Sequence, residues 1–192
     1  GTKLGGSMSG YKLLRSLGHK CTKLRPTLVQ LKSGWNGVAA LKGVRTNCHA
    51  AVVRNGEVFS ESTGELQFTE YGLSGPVIFE VSRDACQGGG DWLCRLDFLP
   101  HLEEEMVMAE LLRRRATNLP ASELLTGILH NRLGRVLTQA AQISSNRQIA
   151  ELSDYQLSQL AKLTKCFEVT LTEPMGMDSA QVTAGGIVTS QF

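Results

Sequence analysis

Few side chains in this sequence are spaced for catalysis. The five cysteines, Cys21, Cys48, Cys86, Cys94 and Cys166, are odd in number and include no CxxC pair. They fit neither a disulfide framework nor a zinc site, and read as free, buried or half-buried thiols in a reducing cytoplasm. His19, His49, His101 and His130 are scattered without an HxxxH pair, so no metal ligand set is expected. There is no GxSxG elbow, no Walker lysine loop and no HExxH. What remains is glycine-rich backbone, which can approach a ligand or another chain closely because no Cβ intervenes.

Three such segments stand out. Gly5-Gly6-Ser7-Met8-Ser9-Gly10 resembles a phosphate cradle only loosely, without a preceding strand or dinucleotide spacing. On composition it is a flexible terminus. Tyr71-Gly72-Leu73-Ser74-Gly75-Pro76 joins a strand to a sharp turn of small residues, and Tyr71 is its one acid/base side chain. Gly75 precedes a proline, which biases its backbone toward extended conformations, while glycine also permits positive φ. Ser82, on the strand expected beyond, should matter much less. Gln181-Val182-Thr183-Ala184-Gly185-Gly186 is a second strand-to-glycine junction. A tight turn without function explains either of the last two equally well on local grounds.

Charge is unevenly distributed. Lys3, Lys12, Arg15, Lys20, Lys23, Arg25, Lys32, Lys42, Arg45 and Arg54 all precede the first acidic residue, Glu57, although net charge is only +2. The asymmetry marks an anion or nucleic-acid face, or else the acidic part folds against the basic part. Arg113-Arg114-Arg115 could bind phosphate, or close a helix whose first turn is acidic. Trp35, in a glycine-rich loop, could stack on a ligand or fold over a barrel edge.

The elements that must position these residues follow from periodicity. In 192 residues, 42% hydrophobic and 20% charged, one large domain or two small ones can form a core. No apolar run reaches the ~18 residues of a membrane span, and no signal-peptide stretch opens the chain. Tyr11–Leu17 reads as a short helix stopped by Gly18. Arg25-Pro26 leads into a strand over Thr27–Leu31. Asn55-Gly56 between apolar runs predicts a type I′ hairpin. Strands follow at Leu66–Thr69, at Val77–Val81 after Pro76, and at Cys94–Phe98, with a loop over Gln87–Asp91. Helical spacing of Leu102, Met106, Ala109 and Leu112 predicts an amphipathic helix with Glu103–Glu105 first and Arg113–Arg115 last. A second helix is expected over 120–131, from Leu124, Leu125, Ile128 and Leu129, and a third over Leu133–Ala141. A fourth runs from Asp154 to about Lys165, opened by the capping-box spacing of Ser153 and Gln156. Phe167, Val169 and Leu171 then alternate as a half-buried strand, and Gln181–Ala184 forms a last one. The expected fold is α+β: a small antiparallel β-barrel interrupted by a helical-bundle insert, with Phe167–Thr172 closing the barrel.

At this point the motifs resemble a known family. GELQFTEYGLSGPVIFEVS (64–82) is similar to a signature of bacterial NAD(P)/FAD-dependent oxidoreductases of the aminoacetone-oxidase-like type. Arg25–Val29, Leu96–Pro100 and Gln181–Gly186 look like its RPALV, D-P and VTAGG segments, in the family's order. Leu4–Tyr11 resembles its GSTGDGY, with Ser9 in place of Asp. The resemblance implies a middle region: residues 1–25 ending a flavin-binding domain, 26–99 and 166–192 a barrel like those of translation factors, 100–165 a helical insert. The chain begins at Gly1 without an initiator methionine and is expected to be part of a longer cytoplasmic protein. FAD, with NAD(P)H as possible donor, would belong to that protein; the piece alone is expected to hold no cofactor and to be inactive. Gly5, Gly6, Ser7, Gly10, Thr183, Ala184, Gly185 and Gly186 would face the flavin. Tyr71, Gly72, Ser74, Gly75 and Pro76 would face the substrate. The expected partners are the flavin-binding domain and a small-molecule substrate, with no membrane. The competing reading is a nucleic-acid or protein-binding module, which the 6% aromatic content and the lack of interleaved basic and aromatic residues disfavour.

Overall fold

The computed structural model describes Lys3, residues 5–85, Gln87 and residues 91–191. Cys86 and the Gly88–Gly90 part of the expected loop lie outside these residues. Chain order runs α1 (Ser9–Ser16), β1 (Arg25–Thr27), β2 (Leu31–Ser33), β3 (Arg45–Arg54), β4 (Glu57–Phe68), β5 (Gly72–Ser74), α2 (Pro76–Val81) and β6 (Trp92–Asp97). Then come α3 (Glu104–Arg114), α4 (Asn131–Ala140), α5 (Asp154–Lys165), β7 (Phe167–Pro174) and β8 (Val182–Ala184).

Six strands close an antiparallel barrel in the order β2-β5-β4-β3-β6-β7. The longest ladder joins β3 and β4 through Asn55 (φ 52°) and Gly56 (φ 80°), the two left-handed residues of the expected hairpin. Alternation along β3 and β6 puts Cys48, Ala50, Val52, Cys94 and Leu96 inside. From β4 come Leu66 and Phe68, and from β7 Val169 and Leu171. Each large side chain so buried contributes roughly 1.5–3 kcal/mol relative to exposure. As expected, β7 returns to the barrel. It pairs with β6 from Leu96↔Phe167 to Trp92↔Leu171, and with β2 through Ser33↔Leu171.

Three local expectations are corrected. Val77–Val81 is the helix α2, not a strand. Gly75 (φ 99°, ψ 167°) reverses the chain straight out of β5, and Pro76 takes the first helical turn, where its missing N–H costs nothing. Val77, Ile78 and Val81 are buried, and six residues are too few to show a helical period, so the β-branched run imitates a strand. Over 120–131 there is no α-helix, only a 3-10 turn at Ala121–Glu123 and tight turns around Gly127 (φ 80°). Leu124 and Leu125 are still buried. The expected strand 27–31 breaks at Leu28 (φ 49°), which sends β1 and β2 into different sheets.

All of α3, α4 and α5 lie in the connection between neighbouring strands β6 and β7. Ser153 caps α5 with the reciprocal capping box its sequence announced: Ser153 N donates to Gln156 Oε1 at 3.2 Å and Gln156 N to Ser153 Oγ at 3.3 Å. On α3 the buried residues are Val107 and Leu111, whereas Met106 and Leu112 are exposed. The expected stripe is therefore turned away from the core. The core nonetheless runs unbroken from barrel to helices. Phe167 sits at the seam, edge-on to Trp35 at 5.0 Å and tilted against Phe98 at 6.1 Å. Trp35 thus folds over the barrel edge.

Candidate functional site

Outside the barrel, β1 and β8 form a two-stranded antiparallel sheet, a stem built from residues far apart in sequence: Arg25↔Ala184, Pro26↔Thr183, Thr27↔Val182. Pairing continues past the strands. Thr22 N donates to Gly186 O at 2.8 Å, Gly186 N donates to Thr22 Oγ1 at 2.9 Å, and Cys21 bridges Ile187. Gly185 has φ 89°, and a Cβ there would stand 2.5 Å from Lys23 O. Of the two VTAGG glycines, Gly185 is thus required by close backbone approach, whereas a Cβ on Gly186 would meet no atom within 4 Å.

Beside the stem is a cavity of about 480 Å³. Lys23 and Arg25 line it from the stem, Ser82 and Arg83 from the turn after α2, and Gln87 from the loop beyond. Arg25 Nη1 donates to Gln87 Oε1, and Gln87 Nε2 donates to Arg83 O. Arg54 Nη1 donates to Gln87 O at 3.3 Å. Two arginines thus hold Gln87. Ser82 Oγ donates to Phe79 O at 2.7 Å and accepts from Val29 N at 3.2 Å. Ser82, expected on a strand and of little consequence, instead caps α2, ties it to the segment between β1 and β2, and lines the cavity.

Part of the basic N-terminal third is neutralised by acidic residues. Lys32 pairs with Glu173 at 2.7 Å, Lys42 with Glu70 at 2.7 Å and Arg45 with Glu65 at 3.1 Å. The acidic part does fold against the basic part there, and the Lys42 ammonium holds the Glu70 carboxyl below its ordinary pKa. Among the described residues, Lys23, Arg25 and Arg83 form no ion pair with a carboxylate. The arginine triple is spent differently. Arg113 and Arg114 both clasp Glu110, at 2.8 and 2.7 Å, and Arg115 pairs with Asp154. Their acidic partners are not Glu103–Glu105.

The other expected site residues are dispersed. Gly72, Ser74 and Gly75 are buried in the barrel wall, while Tyr71 and Pro76 are exposed. Tyr71 Oη lies 3.2 Å from Gln30 Oε1. A Cβ on Gly72 would overlap Leu31 O, so this glycine is required by strand packing. Gly5, Gly6, Ser7 and Gly10 are exposed around the start of α1, with Ser9 N donating to Ser7 Oγ at 3.2 Å. Thr183 and Ala184 stand on β8, and of all these residues only Gly185 lines the cavity. Lys23, Arg83 and Gln87 were not singled out by motif. The acid-free N-terminal stretch was the one sequence signal toward two of the cavity's cations. No group of His, Cys, Asp and Glu among the described residues could hold a metal ion. No helix among them is long and apolar enough to cross a membrane.

Residues 25–182 match the family described as HI0933-like protein barrel and H2TH domain. The chain is also 36% identical over 199 residues to a 3-dehydro-bile acid delta(4,6)-reductase of Clostridium scindens. That alignment covers 98% of this chain and 47% of the relative, so the chain spans about half the length of the curated protein it matches. Both findings agree with the resemblance carried by the YGLSGP and VTAGG motifs, to the middle region of an FAD-dependent oxidoreductase family. The matched segment begins and ends on the stem and encloses the barrel with its helices, and on these grounds the chain belongs to the HI0933-like family.

Proposed function

We propose that this chain is the substrate-covering part of an FAD-dependent oxidoreductase, working with a flavin-binding domain of the same longer protein. The observation that carries the reading is the stem. Residues 21–27 and 182–187 zip together, so chain on either side of the matched region leaves from one place, as an inserted unit requires. The relative named as a reductase, about twice as long, supports the same reading.

The described residues do not themselves fit a dinucleotide. A pyrophosphate site needs a glycine loop of GxGxxG spacing at a helix N-terminus, and Gly5–Gly10 lacks that spacing. FAD, which supplies hydride chemistry when bound, would be held by the flavin-binding domain, with NAD(P)H as donor. What this chain offers is position and shielding: the Thr183–Gly186 backbone on the stem and the cavity beside it.

The test uses the longer protein. Purified, it should carry a flavin absorption band that NAD(P)H bleaches without oxygen. A second version, with residues 25–184 replaced by a short linker, should keep the flavin and lose turnover of a cognate substrate. A colourless longer protein would overturn the reading.

A further inference from the structure

We propose that the cavity beside the stem binds an organic anion, specifically a carboxylate on an apolar body. Three cations surround it, Lys23 and Arg25 from one chain segment and Arg83 from another. Among the described residues none of the three is neutralised by a carboxylate, whereas Lys32, Lys42 and Arg45 elsewhere in the N-terminal third are. Converging like charges repel, and a bound anion relieves that repulsion while gaining charge-assisted hydrogen bonds.

One of the three cations is held in place in advance. Gln87 orients the Arg25 guanidinium, and is itself fixed through Arg83 O and, on its own carbonyl, by Arg54. A site ordered before binding loses less conformational entropy on binding. Asp84 lies nearby, but its Oδ1 accepts from Gln87 Nε2 at 3.5 Å and forms no ion pair with the cations.

The remaining walls select the ligand class. Pro26, Ala85 and Pro174 present apolar surface, and about 480 Å³ lies within the ~300–1,000 Å³ of small-molecule sites. Inorganic phosphate would engage the cations and leave the apolar walls wet. An amphiphilic carboxylate satisfies both. That this anion is the substrate of the oxidoreductase rests on the function proposed above; the binding does not.

The experiment is calorimetric titration of the 192-residue chain with decanoate, decanamide and inorganic phosphate. Decanoate should bind at least about tenfold tighter than decanamide, the scale of a charge-assisted pair. Arg83→Gln and Arg25→Gln should each weaken decanoate about 5- to 20-fold. The exposed Arg83 is the variant that keeps the thermal melt unchanged, and excess phosphate should fail to displace decanoate. Equal binding of decanoate and decanamide, wild-type affinity in both variants, or full displacement by phosphate would each overturn the proposal. A yellow longer protein without decanoate binding sinks this inference alone; a colourless one that binds decanoate sinks only the oxidoreductase reading.

Discussion

The carbonyl oxygen of Glu65 stands 2.5 Å from the point a Cβ on Gly75 would occupy. Gly75 also has φ 99°, so the YGLSGP turn is held by both conformation and contact. Gly75→Ala should therefore cost more than about 3 kcal/mol, combining left-handed strain with a backbone clash. Gly43→Ala is the control: φ is 84° but no atom lies within 4 Å, so about 1–2 kcal/mol is expected. Urea midpoints of the two variants decide it, and equal shifts would show that the β4 backbone yields. The larger Gly75→Val should destabilise the barrel further still.

Glu110 should govern part of the acid response. Hydrogen bonds from Arg113 and then Arg114 hold its carboxyl at about 2, against an ordinary 4.5. A depressed folded-state pKa contributes stability above the unfolded value, and that stability is lost as pH falls through the folded one. The window is thus from about 4.5 down to about 2. Because the cluster is partly exposed, Glu110→Gln should cost only about 0.5–1 kcal/mol at neutral pH. The difference from wild type should vanish near pH 2 in denaturation curves; a difference independent of pH would point to packing instead.

Thiol reactivity should divide the cysteines. Burial, with Asp97 adding to it, pushes the Cys48 thiol up to about 12. Burial, and then Cys48, pushes Cys94 up as well. Neither forms thiolate at about pH 8, where nucleophilic labelling needs it. Cys166, exposed on the surface, is raised by burial of part of its surroundings and should label slowly but completely. Peptide mapping after a disulfide-exchange reagent should find Cys48 and Cys94 untouched until denaturant is added.

Lys165 joins helix to barrel. Its Nζ lies 2.7 Å from Asp97 Oδ2 and donates to Leu99 O at 2.7 Å and to Leu102 O. Lys165→Met leaves Asp97 without its cation and takes one donor from each of the Leu99 and Leu102 carbonyls, of which Leu99 O keeps Leu102 N at 3.0 Å. The expected loss is about 2–3 kcal/mol, below the ~3–5 of a wholly buried pair because both ends keep some solvent. Thermal unfolding of Lys165→Met beside Lys162→Met, which forms no ion pair among the described residues, measures it.

The contrast between what the sequence announces and what it conceals is physical. Asn55-Gly56, Ser153 with Gln156, and the alternation of Phe167, Val169 and Leu171 are local codes, each complete within a few residues. Barrel closure through β7 followed from them. α2 was hidden because its six residues are too few to show a helical period and its Val and Ile read as a strand. The α3 face was misassigned because Val107 and Leu111, not the more regular Met106 and Leu112, meet α5 and the core. The cavity was the least legible feature. Lys23, Arg83 and Gln87 are brought together by contacts between distant segments, Val29 N with Ser82 Oγ and Arg25 with Gln87, which no local pattern announces.

That stem has a mechanical meaning as well. Where a domain hangs from two adjacent antiparallel strands, a force applied at its two ends draws them apart sideways and loads the few hydrogen bonds between residues 21–27 and 182–187 one after another, like the teeth of a zip, before it reaches the barrel ladder. The same property makes the unit transplantable. Spliced into a host loop at Lys20 and Val188, whose backbones are joined by a 2.9 Å hydrogen bond, it would require little opening of the recipient chain.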